Sequence, residues 1–175
     1  MNYILFDGNV RDQLLPFTFT RPVADIRVGI LTIREKWEKH LGYTTTTVTE
    51  DYLGTRWPMV ELEENVLING SFLPSENLVK IVKGLSENQA VFYEEEPLAF
   101  FTTEDQEVDF DAFEIIQYSY DDVIRIAHTW DIFSKNGAAI ARDFELLTKD
   151  RTSQSLPKGV TVIGEGEVFL SLIHI

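Results

Sequence analysis

Apolar residues fall in short blocks along this chain, and the period within the blocks changes from one to the next. Tyr3-Ile4-Leu5-Phe6 is a continuous apolar run closed by Asp7-Gly8, the pattern of a buried strand entering a turn. Residues 9–29 show no clean period and carry Pro16, Pro22 and Gly29, so they read as a loop. From Ile30 to Leu41 the period becomes helical. Ile30, Ile33, Trp37 and Leu41 share one face, Arg34, Glu35, Lys36, Glu38 and Lys39 occupy the rest, and Gly42 supplies the stop. Tyr43 to Thr49 is rich in β-branched residues and predicts a second strand. Val66-Leu67-Ile68, ended by Asn69-Gly70, predicts a third. Ser75 can cap a helix running to Leu85, with Leu78, Val79 and Val82 inward. Ala90 to Tyr93 and Leu98 to Phe101 read as paired strands around Glu94-Glu95-Glu96-Pro97, and Phe113 to Gln117 as another strand. Asp121 to Leu147 is mostly helical in pattern, with a break near Asn136-Gly137. Strands alternating with helices imply an α/β sheet containing parallel strands.

The pattern changes again near the C-terminus, dividing the chain into an α/β domain over 1–150, a linker over 151–158 and a short segment over 159–169. Thr152 to Lys158 is the stretch with linker composition. In Gly159-Val160-Thr161-Val162-Ile163-Gly164-Glu165-Gly166-Glu167-Val168-Phe169, an aliphatic residue followed by Gly resembles one rung of a hexapeptide-repeat left-handed β-helix. One rung cannot bury its own apolar face, and a β-strand with a glycine turn fits the same residues. Residues 170–175, Leu-Ser-Leu-Ile-His-Ile, match the in-frame translation of CTG-TCT-CTT-ATA-CAC-ATC, a sequencing-transposon end. They are expected to be foreign, with an apolar strand as the alternative, so His174 carries no functional weight.

Composition narrows the chemistry. The 175 residues, 44% hydrophobic and 25% charged, suit an ordinary globular domain. Fifteen Lys+Arg against 29 Asp+Glu give a net charge of −14, which argues against broad binding to nucleic acid or anionic membrane. The absence of cysteine removes disulfides, thiolate metal sites and cysteine nucleophiles. The N-terminus reaches Asp7 too soon for a signal peptide, and the expected location is the cytoplasm. Three arginines, Arg11, Arg21 and Arg27, lie in the long connection after the first strand, the usual phosphate-binding position of an open α/β sheet. Guanidinium donors and the amides of a helix beginning near Gly29 suit a phosphate, although Asp7, Asp12 and Asp25 alternate with the arginines and could pair with them.

Leu5, Gly8, Pro16-Phe17-Thr18-x-x-Arg21-Pro22, Ile26 and Val28 resemble the signature L-x-x-G-x-G-T-R-L-x-P-L-T-x-x-x-P-K of sugar-phosphate nucleotidyltransferases. The stretches from Ile4 to Asp12 and from Arg27 to Glu38 are similar to a divergent branch related to the bifunctional N-acetylglucosamine-1-phosphate uridyltransferase. Trp130-Asp131-Ile132-Phe133-Ser134-x-Asn136-Gly137 and Asp143-Phe144-Glu145-Leu146-Leu147-Thr148 resemble that branch's segment leading into a left-handed β-helix. The resemblance implies a nucleotide-diphospho-sugar transferase-like, Rossmann-like mixed sheet flanked by helices, followed by the start of the β-helix. It further implies NMP transfer from an NTP to a sugar 1-phosphate with pyrophosphate release, Mg²⁺ as cofactor, and a homotrimer built through the β-helix. Carried onto this chain, the triphosphate contacts are Arg11 and Arg21, with Gly8 and Asn9 as the approaching loop and Asn69 and Gly70 as the second wall.

The chain departs from the signature at three points. Arg11 sits one place early relative to the signature Arg, the family Lys after Pro is Val23, and the metal-binding Asp is Ser71, which brings no charge to a cation. These changes keep a second expectation open, a catalytically degenerate module that serves in sugar-nucleotide binding or in assembly. Other features carry no chemistry. Glu104-Asp105-Gln106-Glu107-Val108-Asp109-Phe110-Asp111 lacks the turn glycine and closing Glu of a calcium loop. His40 reads as a cation at a helix C-terminus, His128 as helical packing beside Trp130, and Phe92, Phe100, Phe101, Phe110 and Phe113 as core. Neither G-x-S-x-G nor G-x-x-x-x-G-K-[ST] occurs, which argues against serine hydrolases and P-loop NTPases.

Overall fold

The computed structural model describes residues 1–104 and 106–171. Its centre is a six-stranded mixed sheet of β1 (Asn2–Phe6), β2 (Thr46–Val48), β3 (Glu64–Asn69), β5 (Gln89–Tyr93), β6 (Glu96–Thr103) and β7 (Glu114–Gln117), in the order β2-β1-β3-β6-β5-β7. β1 runs parallel to β2 and β3, with Phe6 opposite Val48 and Asn69; β6 is antiparallel to β3 and β5, and β7 is parallel to β5. A small antiparallel pair, β4 (Phe72–Leu73) and β8 (Ile124–Arg125), lies outside that sheet. The helices are α1 (Ile33–Leu41), α2 (Glu76–Gly84), α3 (Asp131–Ser134) and α4 (Asn136–Thr148).

Alternation along the strands sorts the core between two faces. Tyr3, Leu5, Val66, Ile68, Leu98 and Phe101 join Trp37, Leu41, Leu78 and Val82 of α1 and α2 in the main core. Phe100, Phe113 and Ala90 gather with Phe6, Leu67, Phe92 and Phe110 in an aromatic cluster of their own. Trp37 is fully buried, and its indole N–H donates to the Phe72 carbonyl at 2.9 Å, so the polar atom of this large core side chain is satisfied.

Several expected elements change on folding. The connection 9–29 is not an open loop: three short 3₁₀ turns bury Val10, Leu14, Val23, Ala24, Ile26 and Val28. α1 begins at Ile33 rather than Ile30, because Thr32 and Glu35 form a reciprocal capping box (Glu35 N–H to Thr32 Oγ1 3.1 Å, Thr32 N–H to Glu35 Oε2 2.7 Å). Ile30 is left 40% exposed before the cap. Lys36, placed by its period on the polar face, is 3% exposed, and its ammonium pairs with Asp143 on α4. Residues 121–130 form β8 and turns, and helix starts only at Asp131. His128 therefore sits in a loop, stacked on the exposed Trp130 at 4.4 Å. Burial pushes the His40 imidazole below its usual range, against the cationic role expected of it.

Residues 151–171 carry no strand and are tied by Gln154 N–H to the Leu170 carbonyl at 2.9 Å, Leu170 N–H to Ser153 Oγ at 2.9 Å and the Arg151 guanidinium to Ser171 Oγ at 2.7 Å. Of the tail expected to be foreign, residues 172–175, including His174, lie outside the described residues, as does Asp105 of the acidic stretch. Asp109 of that stretch caps a short turn by accepting from Asp111 N–H at 3.1 Å.

Candidate functional site

The parallel pairing of β1 and β3 brings two glycine turns side by side at the carboxyl edge of the sheet. Gly70 N–H donates to the Phe6 carbonyl at 2.8 Å, closing the gap between the turns. Gly8 has φ +62°, and a Cβ there would stand 3.0 Å from Asn69 Nδ2; a Cβ at Gly70 would stand 3.0 Å from Ala24 Cβ. Both positions therefore need glycine for close approach, and Gly8 needs it for its backbone as well. Asn69 is 1% exposed: its Oδ1 accepts from Ser71 N–H at 3.1 Å and Ser71 Oγ at 2.8 Å, and its Nδ2 donates to the Pro97 carbonyl at 3.1 Å. Gly8, Asn69 and Gly70 thus meet, with exposed Asn9 beside them. The Asn69 amide holds the wall in shape, with three of its four hydrogen-bonding positions used within the protein.

Asp7 organises the loop behind this edge. It is 6% exposed; Oδ1 accepts from Val23 N–H at 2.7 Å, and Oδ2 accepts from Arg11 at 2.5 Å and from Thr49 Oγ1 at 2.5 Å. Arg11 also donates to the Thr18 carbonyl at 2.6 Å and to Tyr52 Oη at 2.9 Å, with Glu50 3.6 Å away. Its guanidinium bridges three segments of chain, and much of its charge is met by Asp7.

The other arginines separate. Arg27 donates to the Ile30 carbonyl and pairs with Glu35 at 3.7 Å. Asp25 is taken by Arg34, which approaches both of its oxygens at 2.8 and 3.2 Å. Arg21 alone of the three loop arginines faces a cleft of about 380 Å³, shared with Thr20, Asp25, Arg56 and Trp57. The three guanidiniums that sequence spacing grouped do not share one pocket. Arg56 and Trp57 fall in a stretch without periodicity, where the one mark in the sequence is an Arg-Trp pair close behind the second strand.

Two of the three departures, Val23 and Ser71, have clear structural counterparts. Val23 is fully buried in the main core, while its amide holds Asp7. Ser71 is fully buried, with its hydroxyl donated to Asn69. Among the described residues nothing forms an all-protein Mg²⁺ cage, and Mg²⁺ is ordinarily held by one or two carboxylates together with substrate phosphates and water. Asp7, the carboxylate nearest the turns in sequence, already accepts three hydrogen bonds, and among the described residues no three His, Asp or Glu side chains converge.

A second network fixes the far end of the loop. Asp143 of α4, 2% exposed, accepts from Ile30 N–H at 2.8 Å, Leu31 N–H at 3.1 Å and the Lys36 ammonium. Asn136 Oδ1 accepts from Gly29 N–H at 2.7 Å. Gly29 has φ +83°, and a Cβ there would lie 2.6 Å from Asp143 Oδ2. The connection that carries Arg11 and Arg21 is consequently held at one end by Asp7 and at the other by α4.

A mixed sheet whose parallel strands run in the order β2-β1-β3, with paired glycine turns where β1 and β3 end, is an open α/β arrangement of the kind that binds ligands beyond its strand ends. The chain belongs to the sugar nucleotidyl transferase family, whose model matches residues 3–152. A solved structure described as a putative glucose-1-phosphate thymidylyltransferase from Bacillus anthracis, in complex with a sucrose, is similar with a TM-score of 0.50. The two chains are 10% identical, and the likeness covers 80% of this chain and 95% of that one, so it speaks to the fold. None of the curated proteins matches the chain. Among the described residues, no helix is long and apolar enough to cross a membrane.

Proposed function

We propose that the protein transfers a nucleotidyl group from an NTP to a sugar 1-phosphate. In that reaction a phosphate oxygen of the sugar 1-phosphate attacks the α-phosphorus, the bond between the α-phosphorus and its bridging oxygen breaks, and pyrophosphate leaves. The observation that carries the reading is the meeting of Gly8 with Asn69-Gly70 at the edge where β1 and β3 end, within a chain of the sugar nucleotidyl transferase family. Open α/β sheets bind ligands beyond such carboxyl ends. Gly8 and Asn9 present backbone to the triphosphate, Asn69 and Gly70 form the opposing wall, and Arg21 supplies charge; Arg11 acts chiefly by fixing the loop through Asp7. Phosphoryl chemistry of this kind depends on positioning and charge neutralisation.

A second reading, binding of a sugar nucleotide without turnover, is favoured by one specific observation. The positions where the signature has Lys and Asp are Val23 and Ser71, both fully buried. Pyrophosphate release separates the two. With Mg²⁺, a panel of NTPs and a panel of sugar 1-phosphates, transfer predicts release that requires both substrates. Saturable nucleotide binding with no release for any pair would establish the second reading.

A further inference from the structure

Two arginines differ from the rest of the set. Of the eight in the sequence, Arg11, Arg27, Arg34, Arg125, Arg142 and Arg151 each donate to a carboxylate, carbonyl or hydroxyl or pair with a carboxylate. Arg21 and Arg56, both exposed, have no such protein partner among the described residues, and they line the same cleft. Its one carboxylate, Asp25, is engaged through both oxygens by Arg34. The cleft therefore offers two uncommitted guanidiniums and the Thr20 hydroxyl in a chain of net charge −14. Arg56 is held with its guanidinium 4.8 Å from the centroid of Trp57, a cation–π contact that limits its freedom without using its donors. At about 380 Å³ the space is at the small end of the ~300–1,000 Å³ range of ligand pockets.

We infer that Arg21, Arg56 and Thr20 form a subsite for a pyrophosphoryl group, with Trp57 fixing the direction of Arg56. Two planar donor forks on one cleft suit adjacent phosphates better than a single small anion, because each guanidinium can engage one phosphate bidentately. The inference deepens the proposed transfer and rests on it for the origin of the ligand, which is the terminal phosphates of an NTP or the pyrophosphate released from it. Asp25 serves indirectly: by holding Arg34 it leaves Arg21 without a competing carboxylate.

The test is calorimetric titration of the protein with inorganic pyrophosphate and, separately, with nucleoside triphosphates. Arg21→Ala and Arg56→Ala are each expected to weaken pyrophosphate binding about tenfold, the loss expected for a charge-assisted hydrogen bond. Arg56→Lys keeps the charge but not the fork and is expected to recover only part of this. Lys80→Ala, on the exposed side of α2, is expected to change nothing. Thermal melts confirm that each variant is folded. Absence of pyrophosphate and triphosphate binding, or binding that moves less than about twofold in the double Arg21/Arg56 variant, overturns the subsite. Binding of either ligand that collapses in the double variant supports it, and which ligand binds identifies the source. The two proposals fail separately. Transfer that proceeds with unaltered pyrophosphate affinity in the double variant sinks the subsite alone, and arginine-dependent pyrophosphate binding without turnover sinks the transfer alone.

Discussion

Asp143→Ala would remove the carboxylate that ties α4 to the loop and to Lys36. In the wild-type protein this side chain is 2% exposed and serves three donors, the amides of Ile30 and Leu31 and an ammonium that is itself 3% exposed. Breaking one member of a buried ion pair costs about 3–5 kcal/mol, chiefly because the remaining charge is stranded. The two stranded amides add a penalty that overlaps with it, since one carboxylate had satisfied all three donors. We expect a net loss of about 4 kcal/mol, a large part of the roughly 5–15 kcal/mol available to a domain. Asp143→Asn keeps an acceptor for the amides and should lose about half as much. Urea unfolding near neutral pH reads both values, provided the slope is unchanged. Lys36→Met supplies the decisive comparison: harmful in the wild-type background, it should stabilise the Asp143→Ala protein by removing the stranded ammonium. A cost under about 1 kcal/mol for Asp143→Ala would refute the buried pairing with Lys36. Equal harm from Lys36→Met in both backgrounds would refute it as well.

Three further outcomes follow from the geometry. Gly42→Ala places a Cβ in open space at φ +81° and should cost only the left-handed penalty of about 1–2 kcal/mol; Gly29→Ala adds a 2.6 Å clash with Asp143 and should cost clearly more, and equal melting shifts would refute the close approach. Arg11→Ala strands Asp7, whose side chain is 8% exposed, and should destabilise by about 3 kcal/mol, whereas Arg21→Ala should stay within about 0.5 kcal/mol; thermal melts that rank them the other way would contradict the division of roles. Burial, aided by the hydrogen bond donated to Asp122, pushes the Tyr118 hydroxyl up to about 12, so it favours the folded state below the unfolded value near 10. That stability is lost as pH rises from about 10 to 12, and an ultraviolet difference titration of wild type against Tyr118→Phe should show a late-titrating phenol, with a phenol titrating near 10 refuting it.

Elements formed by continuous apolar runs were legible in the sequence. β1, β3, β5, β6 and α2 follow from runs such as Tyr3–Phe6 and from Ser75, which accepts from Leu78 N–H as a cap should. Residues 121–130 misled because their spacing of apolar residues also suits a short strand and turns, and pairing with β4 decides between the two. Lys36 looked like a surface lysine because its partner lies 107 residues away in sequence. The same limit applies at the candidate site. Gly8 and Asn69-Gly70 could each be marked as turns, but their contact depends on the register of β1 against β3. The spacing of Arg11 and Asp7 was compatible with either pairing or phosphate binding, and only the positions of Thr18, Thr49 and Tyr52 around the guanidinium show what it holds.

Backbone amide shifts of the isotope-labelled protein, followed while a nucleoside triphosphate is titrated in, would locate the nucleotide directly. If the nucleotide lies where β1 and β3 end, Gly8, Asn9 and Gly70 should shift together and saturate with a single affinity. Saturable shifts confined to α4 and residues 151–171, with those three amides unmoved, would place the ligand elsewhere and contradict the assignment.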